Sequence, residues 1–299
     1  MFGITTPRYY TKDDGQTFES SNLGSSGPFS SGIATNGKMI ISLSGAASGE
    51  YYYSYDGINW SVGTINVGVN VAYWAAIAYG NGVWVAAGNS TYQYIAVSYD
   101  GINWQLSNLL PYDIGASTLC FGEGIFTMAG EGLLWSTDGL TWTNASGTVP
   151  VAQQQAYGGG KFIGVVGNDY AVVMETPDGK TWSEVSIPVA GYWNRIAYGN
   201  GVFVAIQAEG GLSVLSSSDG ITWVESSMPN NGDGSGNYEA VTFSGDLFIA
   251  TNDNSTFYYD CALSSDGVNW TLGGNNLDGG AQWLGYDFAP PTSQMFVLT

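Results

Sequence analysis

The chain contains no histidine. That excludes a Ser-His-Asp triad, imidazole general acid–base chemistry and histidine-ligated metals together. Basic residues are almost as scarce: six among 299, against 25 acidic, for a formal net charge of −19. Phosphate backbones, polyanionic glycans and anionic membranes need a basic footprint, so nucleic acid is not an expected partner. There are two cysteines, Cys120 and Cys261, with two repeat units between theirs. They have no metal or redox spacing and read as free thiols rather than a disulfide. No apolar run reaches the roughly 18 residues of a membrane span. Met1 to Thr6 has neither a basic n-region nor an apolar h-region, so the start does not read as a secretion signal. Helical periodicity of useful length is also missing.

What is present is repetition. Asp-Gly, one variable residue, Asn or Thr, then an aromatic occurs seven times: Asp14 to Phe18, Asp56 to Trp60, Asp100 to Trp104, Asp138 to Trp142, Asp178 to Trp182, Asp219 to Trp223 and Asp266 to Trp270. Successive glycines are 42, 44, 38, 40, 41 and 47 residues apart. This period, with several short strands in each unit, is that of β-propeller blades. A second landmark precedes the Asp-Gly turn by about 20 residues, in the range of half a blade. It reads Tyr79-Gly80-Asn81-Gly82-Val83-Trp84 and returns at Phe121, Tyr157, Tyr198 and Phe243. Asn-Gly between apolar residues is a hairpin signal, because both positions accept positive φ. Each unit therefore reads as four antiparallel strands, the second of them apolar because neighbouring blades cover both its faces.

The expected fold is all-β, a seven-bladed propeller in one domain over 1–299. Internal blades are placed at about 29–66, 72–110, 115–148, 152–187, 191–228 and 236–275. The N-terminal hairpin (Arg8 to Tyr10 into Thr17 to Glu19) and a C-terminal pair (Trp283 to Tyr286, Met295 to Leu298) are expected to make one composite blade, 1–23 plus 280–299. Pairing the termini closes the ring and removes exposed edges.

The phrase resembles the Asp-box (BNR-like) repeat of sialidases and related propellers, and it does so over essentially the whole chain. The first copy has the full form, Thr11-Lys12-Asp13-Asp14-Gly15-Gln16-Thr17-Phe18; the other six lack the residue between Asp and Gly. The resemblance implies a propeller whose Asp turns lie away from any active site. Sialidases clamp substrate with three arginines, and this chain has only Arg8 and Arg195, so that reaction is not carried over. Within the turn, Asp and Ser oxygens accept turn N–H groups, Gly supplies positive φ and Trp braces the hairpin.

Function is then sought where the blades differ. Five residues before the landmark aromatic stand Trp74, Ala116, Ala152, Trp193 and Tyr238, and the column extends to Phe29 and Trp283. With Tyr73 and Tyr192 beside two of them, these aromatics form a candidate ligand rim; the alternative is core packing between blades. Arg195 is the candidate for orienting a ligand. Asp233, Ser235 and Asn237 alternate oxygens like half of a calcium loop, without the closing Glu; a glycine-rich connector fits as well. Asn252 to Thr256 is a second polar loop. Glu239 and Asp287 are the carboxylate pair a glycosidase would need.

With 10% charged residues, abundant Gly, Ser, Asn and Tyr, and no export signal, the composition suits an extracellular or virion-surface protein. The expectation is a non-enzymatic structural or adhesion component of a virus particle: a tailed-phage tail, fibre or capsid decoration. It would bind other virion proteins or a host-surface glycan, without cofactor or membrane insertion, and could form a homo-oligomer. A lectin outside a virion and a carboxylate-dependent glycoside hydrolase or lyase are the alternatives.

Overall fold

The computed structural model describes residues 9–11, 19–20, 32–44, 49–68, 73–89, 94–107, 118–130, 132–147, 152–167, 170–207, 211–230, 238–244, 246–252, 261–273, 286–288 and 295–297. All regular structure among them is β. Six four-stranded antiparallel sheets are each formed by one continuous stretch, spanning 32–64, 73–106, 118–144, 152–186, 193–227 and 238–273, with strands in sequence order. A further sheet has the order Glu19–Ser20, Tyr9–Thr11, Met295–Val297, Tyr286–Phe288. It joins the two ends of the chain, with Tyr10 opposite Val297. Of the expected C-terminal pair, Tyr286–Phe288 and Met295–Val297 are seen, and 283–285 lie outside the described residues.

First strands adjoin one another from sheet to sheet, and Tyr286–Phe288 lies next to both Tyr238–Ser244 and Gly32–Thr35. The first strands are therefore innermost and the fourth strands outermost. Burial follows this radial order. Ile40–Leu43 and Ile95–Ser98, second and third strands, are buried throughout, whereas the outer Val224–Ser227 is largely exposed.

Both landmarks of the repeat have structural causes. Asn81 and Asn200 take φ of 50° and 48°, followed by Gly82 and Gly201 at 79°, the left-handed pair a tight hairpin demands. The landmark aromatic crosses to the second strand, as in Tyr198–Phe203 with ring centroids 4.6 Å apart. It also packs on the preceding sheet. The Phe121, Tyr157, Tyr198 and Phe243 rings occupy the space that a Cβ on Gly80, Gly122, Gly158 and Gly199 would fill. Each Tyr/Phe-Gly step thus offers a ring backwards and receives one from the sheet ahead.

The Asp turn is a hydrogen-bonded knot, seen at 54–60. Asp56 Oδ1 accepts the N–H groups of Ile58 (2.9 Å) and Asn59 (2.7 Å), and Ser54 Oγ accepts that of Gly57 (2.8 Å). Trp60 Nε1 donates to the Gly57 carbonyl at 2.9 Å. Gly57 has φ +71°, which its neighbours could adopt only with strain. In later sheets the turn also rests on the sheet before it: Gly139 faces Val85 and Gly220 faces Ile163. Trp142 and Trp223 join those same inter-sheet cores, so the bracing role assigned to the tryptophans holds.

Candidate functional site

The innermost strands begin at the face where the longer connections gather, and there they are irregular in the same way. Their pairing with the second strand shifts at Trp74/Ala76, Ala152/Gln154, Trp193/Arg195 and Tyr238/Ala240. A bulge bends a strand and re-aims its side chains. Four at one column make this end of the ring a distinct zone.

The aromatic column at that zone is core. Trp74, Trp193 and Tyr238 are no more than 1% exposed. Each packs into the apolar core of the sheet before it: Trp74 with Leu43, Tyr51 and Ile65, Trp193 with Ile163, Val173 and Ile187, Tyr238 with Val204, Val214 and Met228. Trp193 Nε1 donates to the Val189 carbonyl (3.3 Å) and Tyr238 Oη to that of Pro229 (3.0 Å). Burial holds the Tyr238 phenol well above its ordinary pKa. The expectation that these three present ring faces to a ligand is corrected. They are wedges that cap the preceding sheet's core, where each sheet splays from its neighbour.

Their chain neighbours behave differently. Tyr73 is 36% and Tyr192 49% exposed at the same end. Gln153 is exposed, and Asn194 and Arg195 are half-buried. Arg195 donates to the Asn194 carbonyl at 3.1 Å and is the one basic residue on an innermost strand among the described residues. Gln154 ties two sheets, its Oε1 accepting the Ile196 N–H at 2.7 Å. Gln155 Oε1 accepts from Thr127 Oγ1 at 2.7 Å, while its buried Nε2 has no hydrogen-bond partner among the described residues. Two tyrosine faces, several amides and one guanidinium can orient a polar ligand or a peptide segment. The amides were not singled out from sequence; the bulge that groups them leaves no sequence signal when each repeat fills it differently (Ala75, Gln153, Asn194, Glu239).

Phe29, Trp283, Ala116, Asp233, Ser235 and Asn237, with 253–256 of the second polar loop, lie outside the described residues, as do the side chains of Glu239 and Asp287. Neither cysteine is in a disulfide; Cys261 is buried and burial pushes the Cys120 thiol up to about 12. No group of three or more His, Cys, Asp or Glu fit to hold a metal occurs among the described residues. Nor, among the described residues, is any helix long and apolar enough to cross a membrane.

The opposite face carries the Asp turns. Their carboxylates are firmly ionised: N–H groups of Thr222 and Ile221 bring Asp219 down to about 2, and those of Asn269 and Val268, with the Asn269 amide, do the same for Asp266. Tyr55 and Tyr99 on this face are each 62% exposed.

A family model described as the DUF6242 beta propeller domain matches residues 56–192. Solved structures extend the likeness to most of the chain. One described as YCF48 bound to D1 peptide is 11% identical with a TM-score of 0.66, covering 99% of this chain and 93% of that one. The chain is a β-propeller. YCF48 from Cyanidioschyzon merolae gives 11% identity and a TM-score of 0.65, with 98% and 95% coverage. Virginiamycin B lyase from Staphylococcus aureus gives 13% and 0.67, with 91% and 94% coverage. At such identities the propellers share a fold and nothing further is transferred. No curated protein matches the sequence.

Proposed function

We propose that this propeller is a closed ring of seven blades that works by binding rather than catalysis. Its ligand is taken at the loop-bearing end of the ring, where Tyr73 and Tyr192 flank the bulged inner strands. The observation that carries this reading is the contrast at one column: Trp74 and Trp193 are sealed in the core, while the tyrosine before each stands exposed, Tyr192 two and three residues before Asn194 and Arg195. The terminal sheet, adjoined by inner strands on both sides, supports seven-blade closure. The lack of any histidine in the sequence favours a binding role.

A protein partner fits this end best. A propeller of similar fold has been solved with a bound peptide, and exposed tyrosines with side-chain amides are well suited to a peptide backbone. The setting we propose is the surface of a virus particle, as a structural or adhesive component of a tail, fibre or capsid decoration. Low charge content with abundant small polar residues supports it. The test is mass spectrometry of purified particles from a phage carrying the gene, followed by affinity capture with wild type and Tyr73→Ala/Tyr192→Ala. The chain should be found in the particle, and the captured protein should be a particle component lost in the double variant. Absence from particles refutes the setting. A partner retained at full strength by the double variant refutes the placement.

A further inference from the structure

Six described turns share one geometry, but two share one sequence. Ser54-Tyr55-Asp56-Gly57-Ile58-Asn59-Trp60 and Ser98-Tyr99-Asp100-Gly101-Ile102-Asn103-Trp104 are identical over seven residues and lie on neighbouring sheets. The Ser and Asp oxygens of each turn accept its hydrogen bonds, from the N–H groups of Gly and Ile and from the Asn amide. The tyrosine supplies none of them. At its position the other four turns carry Thr137, Pro177, Ser218 and Ser265, so the fold has no need of an aromatic there. Yet Tyr55 and Tyr99, at 62% each, are the most exposed large hydrophobic side chains among the described residues.

Each tyrosine directly precedes the same polar pair in its turn, and the Tyr55 ring lies edge-on to that of Tyr53. Asn59 Nδ2 donates to Asp56 Oδ2 at 2.7 Å, and Asn103 Nδ2 to Asp100 Oδ2 at 2.6 Å. Each amide keeps a second N–H and its oxygen, and each carboxylate keeps spare acceptor capacity. An aromatic face next to a fixed carboxylate and amide is complementary to a pyranose. The electron-rich ring meets polarised C–H groups, and the acceptors and donor meet its hydroxyls.

We propose that Tyr55 and Tyr99 are paired platforms of a binding site for a neutral, repeating glycan, on the face opposite the loops. Two equal subsites on adjacent sheets suit a ligand made of equal units, and the second engagement gains from the first. Asp56, Asp100 and the net charge of −19 exclude anionic glycans. A protein interface would bury the centre of the patch, where charged groups such as these are depleted. The site is separate from the loop-bearing end and stands or falls independently of it.

Calorimetric titration of the intact chain with maltoheptaose, cellohexaose, mannohexaose and xylohexaose tests this. Serine is what the chain itself places at two equivalent positions (Ser218 and Ser265), so Tyr55→Ser and Tyr99→Ser should leave the thermal melt unchanged. At least one oligosaccharide should bind wild type. Each single variant should weaken binding by about tenfold, in line with the loss of one aromatic contact, and the double variant should abolish it. Ile221→Ser, on the same face but a distant sheet, should leave it intact. Wild type that binds none of the four, or a double variant that binds as wild type does, overturns the proposal. So does a protein partner lost in the double variant when no glycan is bound.

Discussion

Adding one methyl group at Gly199 should destabilise the ring, and removing the Phe243 ring should reverse the sign of that effect. Gly199 ends an inner strand with no positive φ, so alanine suits its backbone. The obstacle is the next sheet: an added Cβ would overlap Cγ and both Cδ atoms of Phe243. The ring cannot simply retreat, since it is also packed on Phe248 at 4.8 Å between centroids. Forcing a methyl into a filled contact costs about 1–3 kcal/mol. For a chain of this length that is a fall in Tm of roughly 2–4 °C per kcal/mol, or somewhat less. Phe243→Ala alone removes the ring and costs about 3 kcal/mol, at the low end for a half-buried phenylalanine. In that background the methyl meets space, and Gly→Ala at a compatible backbone site stabilises by about 0.4–1 kcal/mol. Urea denaturation of the four species, followed by tryptophan fluorescence, gives the coupling energy, expected at about 2–3 kcal/mol. If Gly199→Ala costs nothing in wild type, or costs as much in Phe243→Ala, the ring-on-glycine step is not what holds neighbouring sheets in register.

Two further predictions follow from the same contacts. The Asp turns should make the protein acid-labile in a defined window. Asp266 falls from 3.8 to about 2 on folding, so its contribution is complete above about pH 4 and is lost as pH drops through 2. The urea midpoint should therefore fall steeply between pH 4 and 2, and Asp266→Asn should lower it at pH 7 while making that slope shallower; an unchanged slope contradicts the assignment. Trp193→Ala should cost about 3–5 kcal/mol as a core truncation, whereas Tyr192→Ala should change Tm by less than 1 °C, within the range of surface substitutions. Equal losses in the two melts would mean that the column is misread.

The sheets were legible because their causes repeat. Gly57, Gly101 and Gly139 each need positive φ, Asp56 and its counterparts each collect turn N–H groups, and Phe121, Tyr157 and Tyr198 each need a glycine opposite. A requirement met once per blade prints a period on the sequence. The aromatic column illustrates the limit. Trp74, Trp193 and Tyr238 recur at one position, a pattern that fits a ligand rim or core packing between blades equally. Their burial shows the ordinary reason for recurrence, a shared packing need. The pattern gave no hint of the strand bulge, because Ala75, Gln153, Asn194 and Glu239 share no single chemistry.

The same logic identifies where binding chemistry should be read in a repeat protein. A residue that every blade keeps is explained by the fold, and an exposed residue that only some blades keep is not. Ser218 and Ser265 show that the position before the turn Asp is satisfied by a small side chain. Tyr55 and Tyr99 carry large aromatic rings at that position and leave them in water, an arrangement hydrophobic burial disfavours. Their turns retain the Asp and Ser hydrogen bonds of the motif, although in the Tyr99 turn the Gly101 carbonyl accepts from Tyr51 Oη rather than from the turn tryptophan, so the substitution costs the scaffold little. Tyr73 and Tyr192 make the same departure at the other end, each beside a tryptophan that the core does require. The fold therefore separates the two classes by exposure: recurrent aromatics inside, holding sheet to sheet, and non-recurrent ones outside, where a ligand can reach them.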